Sequence, residues 1–223
     1  MDSNCPFCDR SKFEERLITE TDTFYVIATL GQITDGGYIL VFPMRHVSCM
    51  GTLEESELRT LSAFLHTKVR PAFEEEYPPM KMMFEHGIVG QTIKHAHLHI
   101  VPGEFHLSPR IDKDFPAESF KRDVLFTYTE NTSPLTDLGN LYKERQEPYL
   151  FWQDESTIYY SPTVCWNPPA PSQYLRIITA EAISRPERAN WRQMDADLDR
   201  RLWTETVQRL KPYFPFLFLL KVA

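Results

Sequence analysis

The chain has 223 residues and a formal net charge of −7, with 42% hydrophobic and 13% aromatic residues. That supplies one large core or two small ones, and the acidic balance excludes a global basic field for a nucleic-acid polymer. The start, MDSNCPFCDR, has no apolar h-region, and the apolar tail Phe214 to Ala223 is too short to span a bilayer, so a cytoplasmic protein without membrane contact is expected.

In chain order, Cys5-Pro-Phe-Cys8 is a CxxC; in a reducing compartment it reads as a zinc knuckle or a redox pair. Phe13 to Glu20 is charged and reads as a short helix or turn, and Thr23 to Ala28 as a strand. After a turn-rich connection, Tyr38 to Phe42 is a strongly apolar strand, ended by Pro43 and followed by Met44-Arg45-His46. Thr52-Leu53-Glu54-Glu55 matches a capping box. From there Leu58, Leu61, Phe64, Leu65, Val69 and Phe73 recur at helical spacing, which predicts a long amphipathic helix to about Glu76, kinked at Pro71 and ended by Pro78-Pro79. His66 lies off that stripe, at the surface or its boundary. Lys81 to Glu85 reads as a strand, after which His86 to Gly90 turns back, with His86 facing solvent.

The next stretch, GQTIKHAHLHIVP from Gly90 to Pro102, holds His95, His97 and His99 at alternate positions, with Ala96, Leu98 and Ile100 between them. Period 2 predicts a strand with one apolar face and one imidazole face, its rings roughly 6.5–7 Å apart. Seven histidines in the whole chain make three in five residues a feature that asks for chemistry. The net negative charge means that an anionic ligand must find its positive partners locally.

Beyond Pro102 the character changes. Ser108 to Ser119, rich in Pro and charge, reads as a linker. Pro148 to Trp152, Ser156 to Tyr160 and Pro171 to Ile178 read as aromatic, Pro-punctuated strands, and a last helix runs from about Asp195 to Leu210. The second half contains no histidine, so imidazole chemistry belongs to the first. Gln173 and Arg176, in PSQYLRII, are the polar residues to watch there: Arg176 is either a phosphate-binding group or an outward-facing strand charge. Zinc needs four N or S ligands; Cys5 and Cys8 offer two, and His46 and His95 are candidates for the others.

With CPFC at the N-terminus, a strand closing as LVFPMRHV, and GQTIKHAHLHIVP, the sequence resembles the histidine triad (HIT) family over residues 1 to 107. The resemblance implies an α+β fold, a HIT-like antiparallel sheet with a long helix. It divides the chain into a nucleotide-binding catalytic domain, 1–107, and a C-terminal α+β extension of unknown role, 108–223. Zinc-bearing members bind a structural zinc at the positions of Cys5, Cys8, His46 and His95. By the same resemblance His97 attacks the α-phosphorus of a nucleotide, His99 hydrogen-bonds the phosphate, and Gln91 and Thr92 bind phosphate or the atom bridging to the leaving group.

Two positions depart from the family pattern. Tyr38 stands where a histidine is usual, so a phenol that can donate a hydrogen bond but carries no positive charge would face the phosphate. Phe84 stands where small members often have Asn. The implied function is a nucleotide hydrolase or nucleotidyl transferase acting through a nucleotidyl-histidine, on a phosphoramidate, a dinucleoside polyphosphate or a nucleotide sugar. The alternative is a nucleotide-binding adaptor with little catalysis. Small family members are homodimers whose partner supplies part of the pocket, so a homodimer is one expectation; that residues 108–223 cover the same surface is another.

Overall fold

A computed structural model describes residues 4–78, 82–115, 123–125, 133–154, 157–163 and 169–215. Eight strands pair antiparallel in one sheet: β1 (Leu17–Glu20), β2 (Phe24–Ala28), β3 (Ile39–Pro43), β4 (Met82–Gly87), β5 (Leu98–Val101), β6 (Asp123–Leu125), β7 (Tyr149–Asp154) and β8 (Thr157–Pro162). Their order is β1-β2-β3-β5-β4-β7-β8-β6. The helices are α1 (Glu55–Phe64), α2 (Arg70–Glu76), α3 (Ser108–Asp114), α4 (Pro134–Arg145), α5 (Tyr174–Ala182) and α6 (Ala196–Leu210). Pro79, Lys81, Ser156, residues 116–119 of the expected linker and residues 216–223 of the apolar tail lie outside the described residues.

The central strands β3, β5, β4 and β7 are buried on every residue because both faces of the sheet are covered. Ile39 and Val41 of β3 and Leu98 and Ile100 of β5 point to one core, with Leu58, Leu61 and Phe73 of the α1–α2 helix and Leu135 and Leu138 of α4. Leu40 and Phe42 of β3 and Phe84 of β4 point to the other, with Ile111 of α3 and Leu175 and Ile178 of α5. The histidine face of the ladder belongs to this second side.

The long helix forms, with two differences. Its N-cap is Glu54, in a capping box with Glu57, while Thr52 closes a preceding 3-10 turn. The expected kink is a π-helical turn over Leu65–Val69, just ahead of Pro71. Proline donates no N–H and its ring crowds the carbonyl four residues back, and a wider turn relieves both.

More was misread beyond Pro102. Ser108–Asp114 is a helix, with Pro109 in its first turn where a missing N–H costs nothing. Pro171 to Ile178 is no strand: Tyr174–Ala182 is helical, and the β-branched Ile177-Ile178 pair is overridden by burial of Tyr174, Leu175, Ile178 and Thr179 along one side. Helix α4 is not among the expected elements, and in the first half β1 lies within Phe13 to Glu20, which reads as a short helix or turn. The last helix holds as expected, capped by Asp195, which accepts from Leu198 N.

The sheet does not stop at residue 107. Strand β4 lies between β5 and β7, with Phe84 opposite Trp152 and His86 opposite Leu150. Gly87 pairs with Tyr149, whose ring sits where a Cβ at Gly87 would lie, 2.3 Å from the nearest ring atom. No side chain fits there.

The second half also holds the loop between β2 and β3. Asp199 of α6 accepts from Gly31 N at 2.9 Å and Gln32 N at 3.1 Å. Thr206 accepts from Gly37 N, and Arg188 donates to Thr34 O and Asp35. Inside the loop, the buried Gln32 amide bonds Thr29 O, Tyr38 O and Tyr38 N, which fixes the backbone entering β3.

Candidate functional site

At one end of the ladder, Cys5, Cys8, His46 and His95 bring their ligand atoms within 4.8 Å of one another, a group that could hold a metal ion. Cys5 Sγ lies 3.5 Å from His95 Nδ1, and Cys8 Sγ lies 3.3 Å from His46 Nδ1 and 3.6 Å from His95 Nδ1. His95 Nε2 is 2.8 Å from the Pro43 carbonyl. A carbonyl only accepts, so the ring proton of a neutral His95 sits on Nε2 and Nδ1 turns its lone pair to the cluster. Burial pushes the His95 pKa down to about 4, which keeps that lone pair free at neutral pH.

His97 and His99 follow on the same face, both nearly buried, with ring centroids 4.8 Å apart. His97 Nδ1 is 2.6 Å from the His95 carbonyl oxygen, so Nδ1 carries the proton and Nε2 is the free lone pair. Burial lowers the His97 pKa, partly offset by that carbonyl, and the ring is neutral. The His99 ring stacks on Phe84 at 4.4 Å, and its Nδ1 is 2.5 Å from the Tyr38 hydroxyl. Its Nε2 is buried without a hydrogen-bond partner among the described residues.

Both rings line one cavity. Gln91 and Thr92, from the connection before β5, line it too, and Gln91 is held by its amide donating to Ser48 O at 2.9 Å. The second half contributes Gln173, Arg176 and Trp191. Arg176 is therefore no outward-facing charge but a buried helix residue. Tyr38 stands behind His99, away from the cavity wall. Lys12 and Arg16 line the cavity and supply the local positive charge that the acidic chain lacks overall.

His86 was misplaced as a solvent-facing turn residue. It is 4% exposed, lines the cavity, and accepts from Leu175 N at 3.1 Å. Burial pushes its pKa down to about 3, so it stays neutral and can accept. The signal was present: carrying the alternation of Lys81 to Glu85 one residue further puts His86 on the face of Phe84. Asp199 gave no such signal, because one polar residue on an amphipathic helix looks like ordinary surface.

A family model described as "HIT domain" matches residues 10–106. This segment is similar to HIT domains. The match ends at His106, so α3 to α6 and β6 to β8 lie beyond it. Among solved structures, a HIT family hydrolase from Clostridium thermocellum is 22% identical over 46% of this chain and 93% of its own, with a TM-score of 0.37. A hypothetical histidine triad nucleotide-binding protein from Sulfolobus tokodaii is 20% identical over 63% of this chain and 90% of its own, with a TM-score of 0.38. A yeast Ap4A phosphorylase is 12% identical over 71% of this chain and 65% of its own, with a TM-score of 0.42. No curated protein matches the chain. No helix among the described residues is long and apolar enough to cross a membrane.

Proposed function

We propose that the protein cleaves nucleotides at the α-phosphorus through a nucleotidyl-His97 intermediate. One observation carries the reading. His97 Nδ1 is committed to the His95 carbonyl at 2.6 Å, which leaves Nε2 as an unprotonated nucleophile on the cavity wall.

In the first step the Nε2 lone pair forms a bond to phosphorus, and the bond from phosphorus to the leaving group breaks, its electron pair departing with that group. The positive charge on the ring is shared through Nδ1–H with the His95 carbonyl. In the second step an acceptor oxygen, from water in a hydrolase, attacks phosphorus. The N–P bond breaks, its pair returns to Nε2, and the acceptor's proton is released. The group transferred carries negative oxygens throughout. Donors on the cavity wall, from His99, Gln91 and Thr92, would supply rate by meeting those oxygens with little reorganisation. Lys12 and Arg16 offer positive charge to a phosphate chain or charged leaving group. The candidate substrates are nucleoside phosphoramidates, dinucleoside polyphosphates and nucleotide sugars.

Cys5, Cys8, His46 and His95 suit zinc. Bonds of about 2.3 Å to sulfur and 2.0 Å to nitrogen in a tetrahedron separate neighbouring S and N ligands by roughly 3.5 Å, and the chain holds them at 3.3 to 3.6 Å. When bound, zinc would supply a closed, four-ligand cross-link from the N-terminal CxxC to the ends of β3 and the ladder. Held by these four residues, it would brace the strand that carries the reacting ring.

Turnover of a fluorogenic adenylate by His97→Asn and the parent protein tests the reading. The variant is expected to fold and to lose several orders of magnitude in kcat. Equal turnover contradicts the assignment, and tight adenylate binding without product in the parent supports a binding protein instead.

A further inference from the structure

Two contacts and one unpartnered nitrogen decide where the His99 proton sits. Phe84 stacks on the face of the imidazole and fixes the ring plane. The Tyr38 hydroxyl meets Nδ1 at 2.5 Å. Nε2 of this cavity-lining ring is buried and without a partner among the described residues. Arg176 lies over the Tyr38 ring, its guanidinium carbon 5.4 Å from the ring centroid, and its charge and hydrogen-bonding donors act on the phenol oxygen.

Arg176 is 3% exposed and tied to three main-chain carbonyls: Nε to Ala189 O at 2.8 Å, and Nη2 to Gly31 O at 2.6 Å and Arg188 O at 2.9 Å. These hold the group firmly without cancelling its charge, because a carbonyl is neutral. Gly31 lets the loop come that close. Its φ is +70°, and a Cβ there would lie 2.6 Å from Arg176 Nη2 and 2.3 Å from the Trp191 Cβ.

We propose that Arg176, acting through Tyr38, sets His99 as an Nε2–H donor aimed into the cavity. Arginine donates and never accepts, and its field turns the phenol oxygen lone pairs toward it and the phenol proton away. The acceptor that the proton meets among the described residues is His99 Nδ1. Burial keeps the phenol protonated and His99 neutral, so the imidazole has a single proton, and that proton is left on Nε2. The reverse tautomer would aim the phenol proton toward a cation and leave a lone pair pointing at an incoming anion. Arg176 and Tyr38 are thus positioning residues. The second half of the chain supplies the positive charge that a phenol at position 38 cannot carry. That the incoming anion is a nucleotide phosphate rests on the function proposed above; the tautomer does not.

The test is the 15N spectrum of the histidine rings in the ligand-free, full-length protein. His99 should show an unprotonated, hydrogen-bonded Nδ1 and a protonated Nε2. His99 protonated on Nδ1 overturns the proposal. Arg176→Gln should mix the two His99 tautomers and Arg176→Lys, which keeps the charge, should restore the parent pattern; a folded Arg176→Gln with the parent spectrum also overturns it. If Arg176→Gln does not fold, Tyr38→Phe removes only the hydroxyl and should mix the tautomers in the same way, and an unchanged spectrum there counts against the proposal. No substrate enters these readouts. A parent protein with the expected tautomer and no turnover would therefore sink the nucleotide reading and leave the Arg176–Tyr38–His99 arrangement standing.

Discussion

The Tyr149 hydroxyl donates to Glu85 Oε2 at 2.5 Å across the seam where β7 joins β4. Glu85 Oε1 accepts from Met50 N at 2.7 Å, and Tyr149 in turn accepts from Gly51 N at 3.1 Å. One buried carboxyl therefore ties the turn that follows His46 to the strand that continues the sheet into the second half. Its chain neighbour His86 points to the opposite face, into the cavity.

That carboxyl gives stability a pH dependence. Burial pushes the Glu85 pKa from 4.5 up to about 7, against the pull of its two hydrogen bonds. A folded-state pKa above the unfolded one means that the folded state holds its proton more tightly. The contribution is fully present below about pH 4.5, is lost as pH rises toward 7, and is level above that. The shift corresponds to at most about 3 kcal/mol. Urea unfolding of the parent and of Glu85→Gln between pH 4.5 and 8 should show the variant losing less stability across this window. Parallel curves would refute the assignment.

The zinc assignment predicts about one ion per chain by metal analysis. Chelation should cost on the order of 3 kcal/mol, which at roughly 2–4 °C per kcal/mol is a fall of about 10 °C in Tm. Restored zinc should recover the parent melt, and Cys8→Ala should melt low with or without it. A melt indifferent to chelation would mean that the four side chains hold together unaided.

Asp199 offers a cleaner test of how the second half serves the first. Replacing it with Ala strands two N–H groups, of Gly31 and Gln32, in a buried loop, at about 1–3 kcal/mol each. Asn keeps an acceptor oxygen at the same place. Asp199→Ala is expected to lose at least about 2 kcal/mol and to bind adenylate more weakly, because the loop carries Leu30 of the cavity wall and leads into Tyr38. Asp199→Asn should stay near the parent. Equal losses in both variants would show that charge, not hydrogen bonding, holds the loop.

The ladder and the metal group were legible because their chemistry is local in sequence or rigid in type: three alternating imidazoles, a CxxC, and a histidine past a strand-ending proline. The same period-2 rule, stopped one residue early, lost His86. The helix at Tyr174–Ala182 was hidden by its β-branched residues, whose preference yields to burial on α5. The seam between β4 and β7 pairs residues more than sixty positions apart, and nothing local in Phe84 to Gly87 announces Tyr149 to Trp152. The role of Arg176 was out of reach for the same reason. Its partners are main-chain carbonyls, which any sequence would supply, and one of them belongs to a loop 145 residues away.

The most direct test of the central claim is intact-mass analysis of the protein quenched at neutral or alkaline pH within its first turnover of an adenylate. The ring chemistry predicts a gain of one nucleoside monophosphate per chain, mapped to His97, and absent from His97→Asn. Product formed at full rate with no adduct, or with the adduct on another residue, would contradict it.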